Sequence, residues 1–370
     1  MKQSESIFSK KKILIYGLGK SGVSSFKFLK DKAELYLFDD KKKMNLNLKK
    51  RCITLSEISK IKFDKIIISP GIDISNCKLS KFLKNNLSKI YTDLDVFYSF
   101  YCKNESIAIT GTNGKSTTAK ILHDILLGQN IDVRLVGNIG NPALNERKIT
   151  KKTVFVIEIS SYQLDYSKIF KSKYAMILNI SPDHLERHHN LKKYVDTKFK
   201  LIESQSSNSF AFVKKNDELI YKKLKSKKFN SKIIKVDTMK NFSFFKKITN
   251  DYFFTNTNKE NLSFVFEISK KLKLKKYLLL RAIQKFKGLK FRQQIIFKKN
   301  NLTIINDSKS TSFYSTIGIL KQSSNVFWIL GGIHKKGDKF ELEKRNLNNV
   351  RAFIFGKNKN FFTRKLKKKS

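Results

Sequence analysis

The sequence predicts an α/β protein built on parallel sheets, and three observations carry that expectation. Short apolar, β-branched runs alternate with helix-like segments through most of the chain, as repeated β–α–β units require. Glycine-containing loops follow several of those runs, at points where a strand would give way to a helix. The chain has 370 residues, 40% of them hydrophobic, which exceeds the size at which one core keeps growing, so two or three domains are expected.

In order along the chain, a strand is expected at Ile13–Tyr16, a helix near Ser24–Leu29, and strands at Leu35–Phe38 and Ile66–Ile68. A second series of strands begins at Ser106–Ile109 and continues through Val154–Ile157 and Ala175–Leu178. Helical periodicity follows at Leu262–Leu272 and Leu278–Phe286. A third series holds strands at Leu302–Ile305, Val326–Leu330 and Ala352–Phe355. Boundaries near residues 100 and 288 divide the chain into domains over 1–100, 101–288 and 289–370.

Composition bounds the function. With 77 Lys and Arg against 30 Asp and Glu, the formal net charge is +47, a value that invites a nucleic-acid reading. The lysines are spread along the whole chain, however, and Arg, the residue suited to base edges and bidentate phosphate contacts, is rare beside Lys. No nucleic-acid partner is expected. No run of about 18 apolar residues occurs, so no membrane span is expected. The polar stretch Met1–Lys10 lacks the apolar centre of a signal peptide. The three cysteines, Cys52, Cys77 and Cys102, lack metal-ligand spacing and fit a reducing compartment. A cytoplasmic monomer is the expectation.

Only three prolines occur, and Pro70, Pro142 and Pro182 all fall in segments with chemical character. The strongest such segment is Ile107-Ala-Ile-Thr-Gly-Thr-Asn-Gly-Lys-Ser-Thr-Thr118. A strand ends at Thr110 and a helix opens at Lys115. The amides of Gly111, Thr112, Asn113, Gly114, Lys115, Ser116, Thr117 and Thr118 would cradle phosphates. Lys115 would neutralise the β- and γ-phosphates, and the Ser116 hydroxyl would ligate Mg²⁺. The spacing departs from the common G-x4-G-K-[ST] loop, because residue 109 is Ile.

Gly17-Leu-Gly-Lys-Ser-Gly22 fits G-x-G-x-x-G after the first strand, with Asp39 and Asp40 closing the second. It suits NAD, another nucleotide, or tight helix–sheet packing. Ser69-Pro-Gly71 adds a rigid turn at the same sheet edge. Glu158 ends a buried strand, where a carboxylate is costly without a partner and a metal would supply one. His184, in Ser181-Pro-Asp-His-Leu-Glu-Arg-His188, could be a metal ligand or a phosphate contact. Lys198 alone reads as a helix-surface lysine. Asn306-Asp-Ser-Lys-Ser-Thr311 and Gly331-Gly-Ile-His-Lys-Lys-Gly337 are polar strand-end loops placed as binding loops are.

In this order the segments GLGKSG, SPG, GTNGKST, GNIGNPAL, EISSYQL, SPDHLERH, GLKFRQ, NDSKST and GGIHKKG resemble the Mur ligase family. Gly137-Asn-Ile-Gly-Asn-Pro142, with SSYQL and NDSKST, resembles its D-glutamate-adding branch. The resemblance implies a Rossmann-like UDP-binding domain, a P-loop-type central ATPase and a Rossmann-like C-terminal domain. It implies a cytoplasmic ligase of peptidoglycan-precursor synthesis, with ATP, UDP-N-acetylmuramoyl-L-alanine and D-glutamate as substrates and an acyl-phosphate intermediate. It places one Mg²⁺ on Ser116 and Glu158 and a second at His184 and Lys198, with a carbamate on Lys198. Lys115, Glu158, His184 and Lys198 would be the catalytic set. Gly19, Lys20, Ser21, Asp39, Ser69, Pro70, Gly71 and Asn138 would contact the UDP substrate. Asn258, Asn261, Arg292, Asp307 and Lys309 would surround the adenine nucleotide, and Thr311 and Lys335 would meet D-glutamate.

Three departures qualify the resemblance. Phe291-Arg-Gln-Gln294 stands where the family favours His-Arg-x-Glu, and Ile333-His334 where it favours Asp-Gly. The family's later Ser- and Phe-containing segments are not found before Ser370, so the C-terminal domain is expected to be truncated. Two alternatives accompany the leading reading. One is a non-catalytic relative that binds UDP-precursor or ATP, and the other is a different Mur or folylpolyglutamate-type ligase.

Overall fold

A computed structural model describes residues 6–40, 48, 50–238, 245–334, 340, 342–343, 347 and 349–367. Strands β1 (Lys12–Tyr16), β2 (Glu34–Phe38), β3 (Lys65–Ile68) and β4 (Ile90–Tyr91) form a parallel sheet in the order β2-β1-β3-β4. Strands β5 (Ser106–Thr110), β6 (Val133–Gly137), β7 (Val154–Glu158), β8 (Tyr174–Ile177), β9 (Phe210–Lys214) and β10 (Lys232–Val236) form a second parallel sheet, ordered β10-β9-β8-β5-β7-β6. Then β11 (Gln294–Lys299) pairs antiparallel with β12 (Leu302–Asn306), and β13 (Val326–Gly331) pairs parallel with β14 (Val350–Phe355).

The central strands are continuous apolar runs because both faces of a parallel sheet are covered. All five residues of β5 are buried, as are all four of β8. The helix Lys115–Gly128 buries Ala119, Ile121, Leu122, Ile125 and Leu126 at helical spacing, the stripe that lets it lie along the sheet. The expected strands and helices fall on observed elements, with ends shifted by a few residues; the helix expected near Ser24 starts earlier, at Lys20. Strands β4, β6, β9, β10 and β11 are additions.

The first two sheets are packed together through an apolar seam. Phe97 stands edge-on to Phe155 with ring centroids 4.8 Å apart, and Phe28 meets Phe100 at 4.9 Å. Asp95 locks the seam. Its buried Oδ1 accepts from the Ser167 hydroxyl and from the amides of Lys168, Ile169 and Phe170, while Oδ2 accepts from the Thr92 amide. Such satisfaction is what allows a carboxylate to be buried. A separate cluster of Phe313, Leu320, Leu330, Phe340, Leu342 and Phe362 forms the core around β13 and β14. Among the described residues, no helix is long and apolar enough to cross a membrane.

Candidate active site

Strands β5, β7 and β8 are neighbours in register, with Ile109 opposite Glu158 and Thr110 opposite Ile177. Their carboxyl ends therefore open at one edge, where ligands of open α/β sheets bind. The loop after β5 turns into the helix Lys115–Gly128 through Gly114, whose φ of 84° is left-handed. A Cβ at Gly114 would sit 2.2 Å from Asn261 Oδ1, so the buried Asn261 shapes the loop by filling the space a side chain would need. The loop is pinned from β8 as well. The Thr112 amide donates to the Asn179 carbonyl at 3.0 Å, and the Asn113 amide to Asn179 Oδ1 at 2.9 Å. The first amides of the helix have no intrahelical acceptors and are placed to receive an anion.

Two lysines converge on this loop. Lys115 Nζ donates to the carbonyls of Gly111 and Thr112 at 2.9 and 2.8 Å, and Lys198 Nζ donates to the same Gly111 carbonyl at 2.8 Å. Lys198 is 1% exposed and lies 4.6 Å over the Tyr194 ring. Burial pushes its ammonium well below the usual lysine range, the charge of Lys115 pushes the same way, and Asp183 opposes both. The surface position that the sequence suggested for Lys198 is wrong, because the helix Leu191–Glu203 turns that face onto the loop.

Glu158 is buried at the end of β7. Asn138 holds it twice, with its amide donating to the Glu158 carbonyl at 2.9 Å and Nδ2 donating to Oε1 at 3.0 Å. Glu158 Oε2 is sealed from solvent and has no hydrogen-bond partner among the described residues. His184 sits at a left-handed φ of 54°, before the short helix Leu185–His188. Its Nδ1 shares a 3.0 Å hydrogen bond with the Tyr162 hydroxyl, and Nε2 lies 3.5 Å from Asp183. Burial pushes the Tyr162 phenol up to about 12, which keeps it neutral. Ser160 and Gln163 form a capping box for the helix Ser161–Tyr166, so part of the SSYQL segment serves to aim Tyr162.

At the first sheet, the GLGKSG loop and the SPG turn are fused. Ser69 Oγ donates to the Gly17 carbonyl at 2.6 Å, and a Cβ on Gly22 would lie 1.9 Å from that same oxygen. The Asp39 carboxylate accepts from the Leu18 amide, so it stabilises the loop. Lys20 and Gly19 stay exposed at the start of the helix Lys20–Leu29, with Ser21 half-buried; Pro70 and Gly71 occupy the neighbouring turn.

The remaining candidates divide. Asn258 Nδ2 donates to the Tyr252 carbonyl at 2.7 Å and to Gln293 Oε1 at 3.1 Å. The Tyr252 hydroxyl in turn donates to the Arg292 carbonyl. Asp307 Oδ1 accepts from the Gln293 amide at 3.0 Å, and burial raises its carboxyl. Asn258, Arg292 and Asp307 are thus joined through Tyr252 and Gln293, while Asn261 stands beside Gly114. Lys309 lies over the Phe291 ring at 5.9 Å, and Thr311 is exposed. Lys335 lies outside the described residues. Sequence reasoning missed Asn179, Tyr162, Tyr194 and Arg187, all of which touch the candidates directly.

Comparison with known proteins gives two family models. The Mur ligase middle domain matches residues 109–279, and the Mur ligase MurD-like N-terminal domain matches residues 11–90. Among curated proteins, UDP-N-acetylmuramoylalanine–D-glutamate ligase of Rickettsia bellii is 30% identical over 96% of this chain and 84% of its own length. The protein of the same name from Rickettsia prowazekii is 32% identical over the same shares, 96% and 84%. The chain belongs to the Mur ligase family. Solved Mur ligases share its fold. UDP-N-acetylmuramate-alanine ligase from Thermotoga maritima superposes with a TM-score of 0.54 at 18% identity, covering 97% of this chain and 88% of that one. The MurF ligase from the same organism, in complex with ADP, gives 0.55 at 13% identity, with 95% and 83% covered.

As a Mur ligase, the chain is an ATP- and Mg²⁺-dependent enzyme of peptidoglycan-precursor synthesis. The residues fit the metal. Magnesium needs few protein oxygens, because phosphates and waters complete its shell. The partnerless buried Oε2 of Glu158 offers a carboxyl oxygen beside the phosphate loop, and Ser116 lies in the first turn of the helix. Among the described residues no three His, Cys, Asp or Glu side chains cluster as a metal cage.

Proposed function

We propose that this Mur ligase joins D-glutamate to UDP-N-acetylmuramoyl-L-alanine with hydrolysis of ATP to ADP and phosphate. The observation that carries the reading is the convergence of Lys115 and Lys198 on the Gly111 carbonyl, beside a strand whose last residue is the unsatisfied Glu158. A lysine cation at a phosphate loop, beside a buried carboxylate and a second, charge-disfavoured lysine, suits a reaction in which a phosphoryl group moves to a carboxylate. The substrate carboxylate takes the γ-phosphoryl group and becomes an acyl phosphate. The neutral D-glutamate amine then attacks the acyl carbon, phosphate leaves with the bonding electron pair, and the proton lost from nitrogen passes to the departing phosphate.

In this reading Lys115 leaves the loop carbonyls for the phosphates when nucleotide enters. Ser116 and Glu158 hold one magnesium ion and His184 and Lys198 a second; bound magnesium offsets phosphate charge. Lys198 serves there as a carbamate: its neutral amine adds to CO₂ and releases a proton, turning a cation into a carboxylate-like ligand. Burial favours the neutral amine that this step requires. Gly19, Lys20, Ser21, Asp39, Ser69, Pro70 and Gly71 bind the UDP moiety, with Asn138 at the sugar. Asn258, Asn261, Arg292, Asp307 and Lys309 face the nucleotide, and Thr311 and Lys335 the amino acid. The three functional regions are 1–100, 101–288 and 289–370, in a cytoplasmic monomer.

Phosphate release from Mg-ATP, the UDP substrate and D-glutamate tests the reading. Lys115→Ala should abolish it with the fold intact, and L-glutamate should not replace the D-enantiomer. Equal rates with both enantiomers would overturn the assignment of the amino acid.

A further inference from the structure

Arg187 lies in neither the phosphate loop nor the glycine-rich loop, yet it touches the turn that backs the glycine-rich loop and the helix that carries Tyr162. Its side chain is 8% exposed. Nη2 donates to the carbonyl of Ile72 at 2.6 Å, and Nη1 lies 3.9 Å from Asp73. Nε lies 4.0 Å from Asp165 on the second-sheet side. The guanidinium centre stands 5.4 Å from the Tyr162 ring and 5.3 Å from the Tyr166 ring. A planar cation offering donors in two directions and faces to aromatic rings can do this; an ammonium cannot.

Both ends of this contact lead to proposed substrate sites. Ile72 closes the SPG turn, its amide donating to the Ser69 carbonyl at 3.0 Å. Its side chain also packs where a Cβ on Gly17 would come within 3.0 Å of Ile72 Cγ1. The turn therefore backs the glycine-rich loop. On the other side, Tyr162 shares its hydroxyl with His184 Nδ1, three residues before Arg187 in sequence. The apolar seam and Asp95 lock the first two sheets elsewhere, at residues 92–100 and 167–170. Arg187, itself in the His184 segment, pairs with Asp73 just after the SPG turn and with Asp165 on the helix Ser161–Tyr166.

We infer that Arg187 is a positioning residue: it ties the UDP-binding turn to the His184 loop and so fixes the substrate carboxylate relative to the γ-phosphate. The inference rests on the ligase reading above for its substrate, but the tie itself is a property of the fold. A reacting pair displaced by about 1 Å loses roughly 100-fold in rate while its partners still bind. Loss of Arg187 should therefore lower kcat far more than it weakens ATP or free UDP, because neither ligand alone spans the two elements.

The test uses the full chain and the variants Arg187→Ala and Arg187→Lys. Steady-state phosphate release is measured together with the binding of ATP and of UDP by calorimetry. Amide hydrogen exchange is followed over residues 69–76, where the Ile74 amide donates to the Tyr166 hydroxyl at 3.4 Å. For Arg187→Ala we expect kcat to fall at least tenfold, ATP and UDP affinities to stay within about threefold, and exchange over 69–76 to quicken at least tenfold while β5 is unchanged. Arg187→Lys should recover less than half of the lost rate, since it restores charge without the fork. Unchanged kcat in Arg187→Ala, or an equal loss of ATP binding, would overturn the proposal. So would unchanged exchange over 69–76. A wild-type chain that binds UDP and ATP without turnover would refute the ligase reading separately, and the exchange result would still decide the tie.

Discussion

Asn138 and Glu158 meet through two hydrogen bonds, one between backbones at 2.9 Å and one between side chains at 3.0 Å. The pair lies across the β6–β7 register, where Gly137 is opposite Glu158. The resemblance assigns Asn138 to the UDP-linked sugar; the structure gives it a second task, holding the carboxylate so that only Oε2 remains unsatisfied. A partner that orients a metal-ligating carboxylate is worth about 10–100-fold in metal affinity. Asn138→Ala should raise the Mg²⁺ concentration for half-maximal activity by about tenfold or more. A magnesium titration at saturating ATP measures it, and an unchanged midpoint would leave Asn138 as a substrate contact alone.

Lys198 offers a different handle. Its burial against Gly111 and Tyr194 favours the neutral amine, the form that takes up CO₂. Native mass spectrometry should show the chain heavier by one CO₂, and stripping bicarbonate should lower activity. Lys198→Ala should lose about 100-fold or more in kcat. Lys198→Arg should lose as much, since a guanidinium stays charged and cannot form the carbamate. Full activity in either variant would remove Lys198 from the metal site.

How much of this was legible in the sequence varies with the kind of constraint. The loops at Gly17, Ser69 and Gly111 were legible because glycine and proline are rare in this lysine-rich chain and persist where the backbone needs them. Glu158 was legible as a charge at the end of an apolar run. Asn179 and Tyr194 were not, because their contacts with the phosphate loop depend on β8 lying beside β5, and Arg187 was not, because its partners Ile72 and Asp165 are distant in sequence; no local spacing encodes either relationship. Strand β10, Lys232–Val236, is a pair of isoleucines flanked by lysines at the sheet edge, too weak a run to separate from loop. Strand β11 is mostly exposed, so burial left no alternating pattern in it, and its antiparallel pairing with β12 departs from the parallel series that the sequence suggested.

Gly114 should tolerate no side chain. Its φ of 84° is left-handed, and an added Cβ would stand 2.2 Å from Asn261 Oδ1. Gly114→Ala combines backbone strain of about 1–2 kcal/mol with displacement of a buried amide. The helix Lys115–Gly128 should remain, since its apolar face is untouched. The expected result is a modest fall in thermal midpoint with a loss of ATP affinity of tenfold or more by calorimetry. Wild-type affinity would show that the loop can rebuild its anion nest without the glycine.

His188 links stability to pH, and the sign follows from its burial. The side chain is 0% exposed; Nε2 meets the Ser161 hydroxyl at 3.0 Å, and Nδ1 has no partner among the described residues. Burial lowers its pKa from 6.5 to about 4, with Asp165 opposing and Lys198, Arg187 and His184 adding to the fall. Between about pH 4 and 6.5 the unfolded chain therefore binds the proton that the folded chain refuses. The stability contributed by neutral His188 is full above pH 6.5 and is lost as pH falls toward 4. The slope reaches at most one proton, about 1.4 kcal/mol per pH unit. Urea midpoints at several pH values across that window should fall more steeply for the wild-type chain than for His188→Asn, which has no proton to take up. Identical slopes would show that acid sensitivity in this range comes from carboxylates.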